Sequence, residues 1–261
     1  MTAIRSPLRV VESELVAYRR TWRGTVISSF VNPIFFLSAM GLGLGTLVDA
    51  ANNSDLGVPY LTFVATGLMA ANAMQVGASE GSFPVMAGII WRKQFHAAIT
   101  TPVTPRDIVV GRTLWEMIRL TFILSVFTVI AALFGALDFR TALLAIPPAV
   151  LTGTAFTTVV TAYTVTRHNS QGLTTLFRFA ITPLFLFSGT FFPITNLPQA
   201  LQYVAYTTPL FHGVELVRKI ALPGAGMVTT MPLWVHFAYL ATMLLIGLLL
   251  ASRLLDKALR P

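Results

Sequence analysis

Ten carboxylates, four histidines and no cysteine make up the carboxylate, imidazole and thiol groups of this 261-residue sequence. Without cysteine there is no disulfide, no thiolate nucleophile and no Cys-based metal site. No H-E-x-x-H stretch offers two imidazoles on one helical face, and no G-x-x-x-x-G-K-[ST] loop offers backbone amides and a lysine to nucleotide phosphates. The acid–base pairs that do occur are Glu116 with Arg119 and Glu215 with Arg218, each three residues apart. On a helix such residues are neighbours, so both are candidate ion pairs. Glu80 is a carboxylate at the end of a long apolar run. Two readings are open for it, a proton-relay group and an interfacial or intersubunit contact. Little here can make or break a covalent bond.

The elements that must carry these groups are membrane helices. Hydrophobic residues are 55% of the chain, charged residues 11%, and the mean hydropathy is +0.73. A soluble domain carries about 25% charged residues. Six apolar runs are each long enough to cross a bilayer core, which takes about 20 residues. They lie near 24–48, 59–81, 113–134, 141–166, 173–192 and 232–252. The first is too long for the core of a cleaved leader and is expected to remain as an anchor. Residues 1–23 form a separate basic segment, in which Leu8, Val11, Leu15, Tyr18 and Trp22 recur at helical spacing. That pattern predicts an amphipathic helix at the membrane surface, begun at Ser6-Pro7. Residues 24–261 then make one transmembrane domain.

Charge sets the orientation. Fifteen of the eighteen Lys and Arg flank one side of these spans, and only Arg140, Arg218 and Lys219 the other. By the positive-inside rule both termini are cytoplasmic. His96 and His168 then fall inside and His212 and His236 outside, so the four cannot readily share a metal. The net charge of +8 is spread over short inter-span segments and gives no nucleic-acid-binding face.

Two segments between spans carry more pattern than a loop needs. Between spans 2 and 3, Trp91, Phe95, Ala98 and Ile99 fall on one helical face, opposed by Arg92, Lys93, Gln94 and His96. Thr104-Pro105-Arg106-Asp107 then predicts a capped helix start. Between spans 5 and 6, Phe192-Pro193 stops a helix, and two short amphipathic pieces follow, started by Pro198 and Pro209. This predicts a re-entrant hairpin, since irregular backbone at membrane depth is tolerated only inside protein or beside a watery cavity. Phe185, Phe187, Phe191 and Phe192 of span 5 either contact an apolar substrate or serve packing.

SGTFFPITNLP at 188–198, followed by TPLFHGVELVR at 208–218, resembles the C-terminal signature of type-2 ABC-exporter permeases. The branch it is most similar to exports nodulation lipo-chitooligosaccharides, together with drug-exporter relatives. The resemblance implies an all-α membrane protein of six transmembrane helices, an N-terminal interfacial helix, a cytoplasmic coupling helix between spans 2 and 3, and the re-entrant hairpin. It implies that Trp91, Arg92, Lys93, Phe95, His96 and Ile99 seat in a groove of a separate ABC ATPase. That partner binds ATP and Mg2+, and this chain needs no cofactor. It implies a second permease copy, or a homologous permease, in the bacterial cytoplasmic membrane. The cargo is an amphipathic or lipid-linked substrate: a lipo-oligosaccharide, a glycolipid or a hydrophobic drug. A proton-coupled secondary transporter is the rival reading, and an embedded enzyme lacks its necessary parts.

Overall fold

Apolar helices fill the computed structural model, which describes residues 5–51, 57–223 and 231–260. Among them there is no strand. α1 (Arg5–Tyr18) precedes α2 (Trp22–Leu37), which continues through a π-helical stretch, Ser38–Gly45, into α3 (Thr46–Ala51). α4 (Tyr60–Gly81), α5 (Phe83–Met86) and a π-helical turn, Ala87–Trp91, form one long rod broken at Ser82. Then come α6 (Gln94–Ala98), α7 (Pro105–Leu133), α8 (Phe139–Leu144) and α9 (Ile146–Val165). α10 (Gln171–Leu176), a π-helical turn at Phe177–Ile181 and α11 (Thr182–Phe187) run on without a break. α12 (Gln199–Tyr206), α13 (Pro209–Ala221) and α14 (Leu233–Leu259) complete the chain.

Five helical rods are long and apolar enough to cross a membrane: Trp22–Asp49, Tyr60–Trp91, Pro105–Leu133, Phe139–Val165 and Leu233–Leu259. The expected fifth span is shorter than 173–192. Its helix, Gln171–Phe187, stops five residues before Phe192, because Ser188 to Pro193 takes irregular backbone with Gly189 at φ +81°. Seventeen residues rise about 25 Å, against a hydrocarbon core of about 30 Å. Part of the expected outer loop at 49–58 lies outside the described residues.

Small residues bring α4 and α9 together at the centre. A Cβ on Gly77 would stand 2.1 Å from the Gly153 carbonyl oxygen, so only glycine permits this approach. The α9 threonines mostly satisfy themselves: Thr152, Thr154, Thr157 and Thr158 donate to carbonyls of the preceding turn. Thr164 instead donates to the Gly81 carbonyl at 2.9 Å and ties α9 to the lower end of α4. The Thr104–Asp107 capping box forms as expected, with Asp107 N donating to Thr104 Oγ1 at 3.2 Å and Thr104 N to Asp107 Oδ2 at 2.9 Å.

α1 forms within the expected basic segment. Leu8 and Leu15 are exposed, and the helix meets α7 through Tyr18, which packs edge-on to Trp115, and Glu14, 2.5 Å from Arg112. A half-buried ion pair and a ring contact to α7 hold the helix, and leave Leu8 and Leu15 on its open side. The helix also already includes Ser6, so that residue is no cap.

Candidate functional site

At the end of the bundle carrying Arg92 and Lys93, three carboxylates and two arginines collect where α1, α4 and α7 meet. Arg119 binds Glu80 of α4 at 2.5 Å. Its expected partner Glu116 lies 3.9 Å away, at the limit of an ion pair. Spacing along one helix made Glu116 a neighbour, but the carboxylate on the facing helix has the better line to the guanidinium. Glu80 is thus an interhelical contact near the end of α4. Glu116 is 1% exposed, and neither of its oxygens has a hydrogen-bond partner among the described residues. It lines a cavity of about 20 Å³ with Glu80, Thr157, Thr161 and Phe95, room for one water. A wider cleft of about 580 Å³ opens beside it, bounded by Glu14, Arg20, Arg92 and Arg119.

The expected coupling helix is shorter and differently turned than its spacing suggests. Trp91 ends the α4–α5 rod, and Lys93 takes a left-handed φ of 52° before α6 begins. This one-residue break destroys the helical wheel that put Trp91 beside Phe95. Phe95 is buried in the chain's own interior, against a cluster including Val85, Ile108, Val109, Val165 and Leu255. Its ring seats on Gly88, where a Cβ would be 2.6 Å from Phe95 Cζ, with the Arg112 guanidinium 5.7 Å from its centroid. Phe95 is thus turned into the chain's own interior, where it holds the loop to the bundle. Ile99 packs partly on the same cluster. His96 is half-buried, with Nδ1 lacking a hydrogen-bond partner among the described residues. Trp91, Arg92, Lys93 and Gln94 are exposed, Trp91 at 58%.

At the opposite end, the Ser188–Thr190 turn is buried under α4. A Cβ on Gly67 would stand 2.5 Å from the Thr190 carbonyl oxygen, so α4 admits this strand of backbone only at a glycine. Arg218 of α13 fastens the turn. It is 3% exposed and donates to the carbonyls of Gly189 at 3.1 Å and Phe63 at 3.3 Å, and to Thr66 Oγ1 at 3.3 Å. Its Cζ lies 3.9 Å from the Phe63 ring centroid, and its Nη1 is 3.4 Å from Glu215 Oε1. The expected Glu215–Arg218 pair exists, but as part of a buried junction of three segments. Nearby, His212 and His236 place their Nδ1 atoms 2.9 Å apart, and Lys219 approaches His236 Nε2 at 3.4 Å. Among the described residues no group of three or more His, Cys, Asp or Glu can hold a metal.

The span-5 phenylalanines divide. Phe185 packs edge-on against Phe36 of α2 and Phe191, while Phe187 is half exposed and lines an apolar groove of about 430 Å³ between α11 and α12. Phe191 and Phe192 are half-buried in the irregular segment past the helix. Sequence reading passed over the residues facing Phe185. Asn32, Asn72 and Gln75 share with it, and with Phe36 and Phe127, a cleft of about 30 Å³. The available signal was a pair of amides three residues apart in an otherwise apolar span.

Comparison with known proteins agrees with this architecture. The family described as ABC-2 type transporter matches residues 8–222. Nodulation protein J of Rhizobium meliloti is 27% identical over 94% of this chain and 91% of its own length. Nodulation protein J of Sinorhizobium fredii is 29% identical over 90% of this chain and 88% of its own. The protein of the same name from Rhizobium leguminosarum bv. viciae is 27% identical over 82% of both.

Proposed function

The chain belongs to the ABC-2 type transporter family, and from that premise we propose that it is the permease subunit of an ATP-driven exporter in a bacterial inner membrane. The match over residues 8–222 is the observation that carries this reading. A separate ABC ATPase binds ATP and Mg2+, and two permeases, identical or homologous, assemble around one path. The cargo is an amphipathic or lipid-linked molecule such as a lipo-oligosaccharide, glycolipid or hydrophobic drug. Similarity to three proteins named Nodulation protein J supports the first of these. The exposed Trp91–Gln94 corner is available to the ATPase, and mechanical coupling requires a contact whose energy differs between two states. The test is co-expression with the ATPase subunit, co-purification, and hydrolysis in vesicles. A complex whose ATP turnover rises with exported cargo is expected. A permease that never binds an ATPase sinks the reading.

In this proposal the chain crosses six times, with Gln171–Phe187 as the short crossing and α12–α13 as the re-entrant hairpin. Burial of the Ser188–Thr190 backbone supports that assignment, since irregular backbone at membrane depth needs a protein environment. Cysteines placed singly at Gln199, His168 and Lys257 in this cysteine-free chain report the topology. Impermeant thiol reagents should reach Gln199→Cys from outside and the other two only from the cytoplasm. Outside labelling of His168→Cys would remove the crossing between them.

One observation favours the rival. Glu116, buried beside a water-sized cavity without a hydrogen-bond partner, has the surroundings of a group that binds and releases a proton. In a secondary transporter a protonophore abolishes export and ATP depletion at constant proton gradient does not. The ABC reading expects the reverse.

A further inference from the structure

We propose that Lys219, His236 and His212 form a proton-binding latch at the outer end of the bundle. It holds α13 on α14 while both imidazoles are neutral, and opens when either takes up a proton from outside. Such a latch needs only the fold, whatever drives transport. His212 and Lys219 are seven residues, close to two turns, apart and share one face of α13, while His236 lies in the first turn of α14. Chemistry sets the direction of the chain they make. The Lys219 ammonium has donors only; it gives one to the Met231 carbonyl and one to His236 Nε2 at 3.4 Å. A neutral ring that accepts at Nε2 keeps its hydrogen on Nδ1, so His236 donates to His212 Nδ1, 2.9 Å away. The hydrogen of His212 is then on Nε2, and the Tyr206 backbone accepts a hydrogen bond from this ring.

A further proton has no place in this arrangement. On His212 it sets two N–H groups against each other; on His236 it sets an N–H against the ammonium. His212 is 4% exposed and His236 0%, so water does not replace the broken bond. The walls are aromatic: Tyr239 stacks on His212 at 4.1 Å, and Phe211 lies edge-on to both imidazoles. The other charged residues of α13, Glu215 and Arg218, pair with each other on the side facing α4. α12 brings Tyr206, packed on Phe211, and α9 brings the neutral Thr152 against Gly213. Asp138 and Arg140 at the start of α8 are exposed, and residues 224–230 hold no ionisable side chain. No carboxylate is thus left to balance an added charge. Burial lowers the His212 imidazole from its ordinary value, with the Tyr206 backbone opposing. A freed histidine titrates at about 6.5, so below that pH the opened state binds more protons than the latched one. Opening is therefore favoured as pH falls, and the latch is tight above about pH 6.5.

Amide hydrogen exchange of α13 in the full chain, held in lipid nanodiscs and corrected for intrinsic rates, measures the opening. From about pH 7.5 to about pH 5.5 each freed imidazole raises the opening constant about tenfold, and the two together about a hundredfold. Wild-type exchange should rise accordingly. Lys219→Met leaves both rings in place but frees His236 Nε2, so the pair keeps its Nδ1 bond while holding one proton. The rise should then shrink to about tenfold. His212→Asn combined with His236→Asn removes both titrating rings and should abolish the rise, whatever its level of exchange. Lys219→Met carries the test where that double variant does not fold. A structural role alone would raise exchange equally at both pH values in the variants and leave the acid response intact. Exchange in the wild type that does not rise with acid overturns the latch. An undiminished rise in Lys219→Met or in the double asparagine variant overturns it too, because the protons then act elsewhere.

Discussion

Arg218→Leu should destabilise the protein by about 3–5 kcal/mol, the usual loss when one member of a buried charged junction is removed. Sequence spacing alone made Glu215 and Arg218 a helix pair, which at a surface contributes about 0–1 kcal/mol. Burial changes the scale. The guanidinium is 3% exposed and serves two backbone carbonyls, one threonine hydroxyl, one ring and one carboxylate. Leucine leaves the Phe63 and Gly189 carbonyls without this donor and withdraws the cation from Glu215. Arg218→Lys should recover only part of the loss, since a single ammonium cannot serve both carbonyls and the Phe63 ring as the guanidinium does. Exchanging the two residues, Glu215→Arg with Arg218→Glu, should fail to rescue, because a carboxylate cannot donate to a carbonyl. Thermal unfolding of the detergent-solubilised chain measures all three. Wild-type stability in Arg218→Leu would mean that the junction is ornamental, and recovery in the exchanged variant would mean that only the ion pair matters.

The difference between those two estimates shows what a sequence can carry. Helix starts were legible where local chemistry fixes them: the Thr104–Asp107 box, and the prolines at 105, 209 and 232. Apolar length found five of the rods, though their ends moved: the second runs on to Trp91, the third starts at the Thr104 cap, and the last continues to Leu259. Partner choice was not legible. Arg119 sits three residues from Glu116 yet binds Glu80, because a facing helix presents that carboxylate at 2.5 Å. Neither were the π-helical stretches at 38–45, 87–91 and 177–181, which add a residue per turn and rotate everything downstream. The amide cleft was hidden for the same reason. Asn32 comes from another helix, and its meeting with Asn72 and Gln75 is a fact of packing.

The coupling corner is where that lesson changes an experiment. A helical wheel over Trp91–Thr101 predicts that Trp91 and Phe95 fill a partner's groove together, so that either truncation weakens ATPase binding. The left-handed Lys93 separates them: Trp91 is 58% exposed, and Phe95 seats on Gly88 inside the chain. Their truncations should therefore fail differently. Phe95→Ala empties an interior site, which for phenylalanine costs about 3–5 kcal/mol. It should lower thermal stability and release the 92–104 loop before it affects any partner. Trp91→Ala should leave stability within about 0.5 kcal/mol, as surface substitutions do. If the corner docks the ATPase, the same change should remove about 2 kcal/mol or more of association, the usual loss for a buried aromatic anchor. That is about a thirtyfold weaker pull-down. Unfolding temperature and ATPase affinity, measured on both variants, separate the two roles. Loss of affinity without loss of stability in Phe95→Ala would restore the groove-anchor reading of that ring. Unchanged affinity in Trp91→Ala would move the docking surface away from this corner, and ATP-driven closure would have to reach the bundle through another contact.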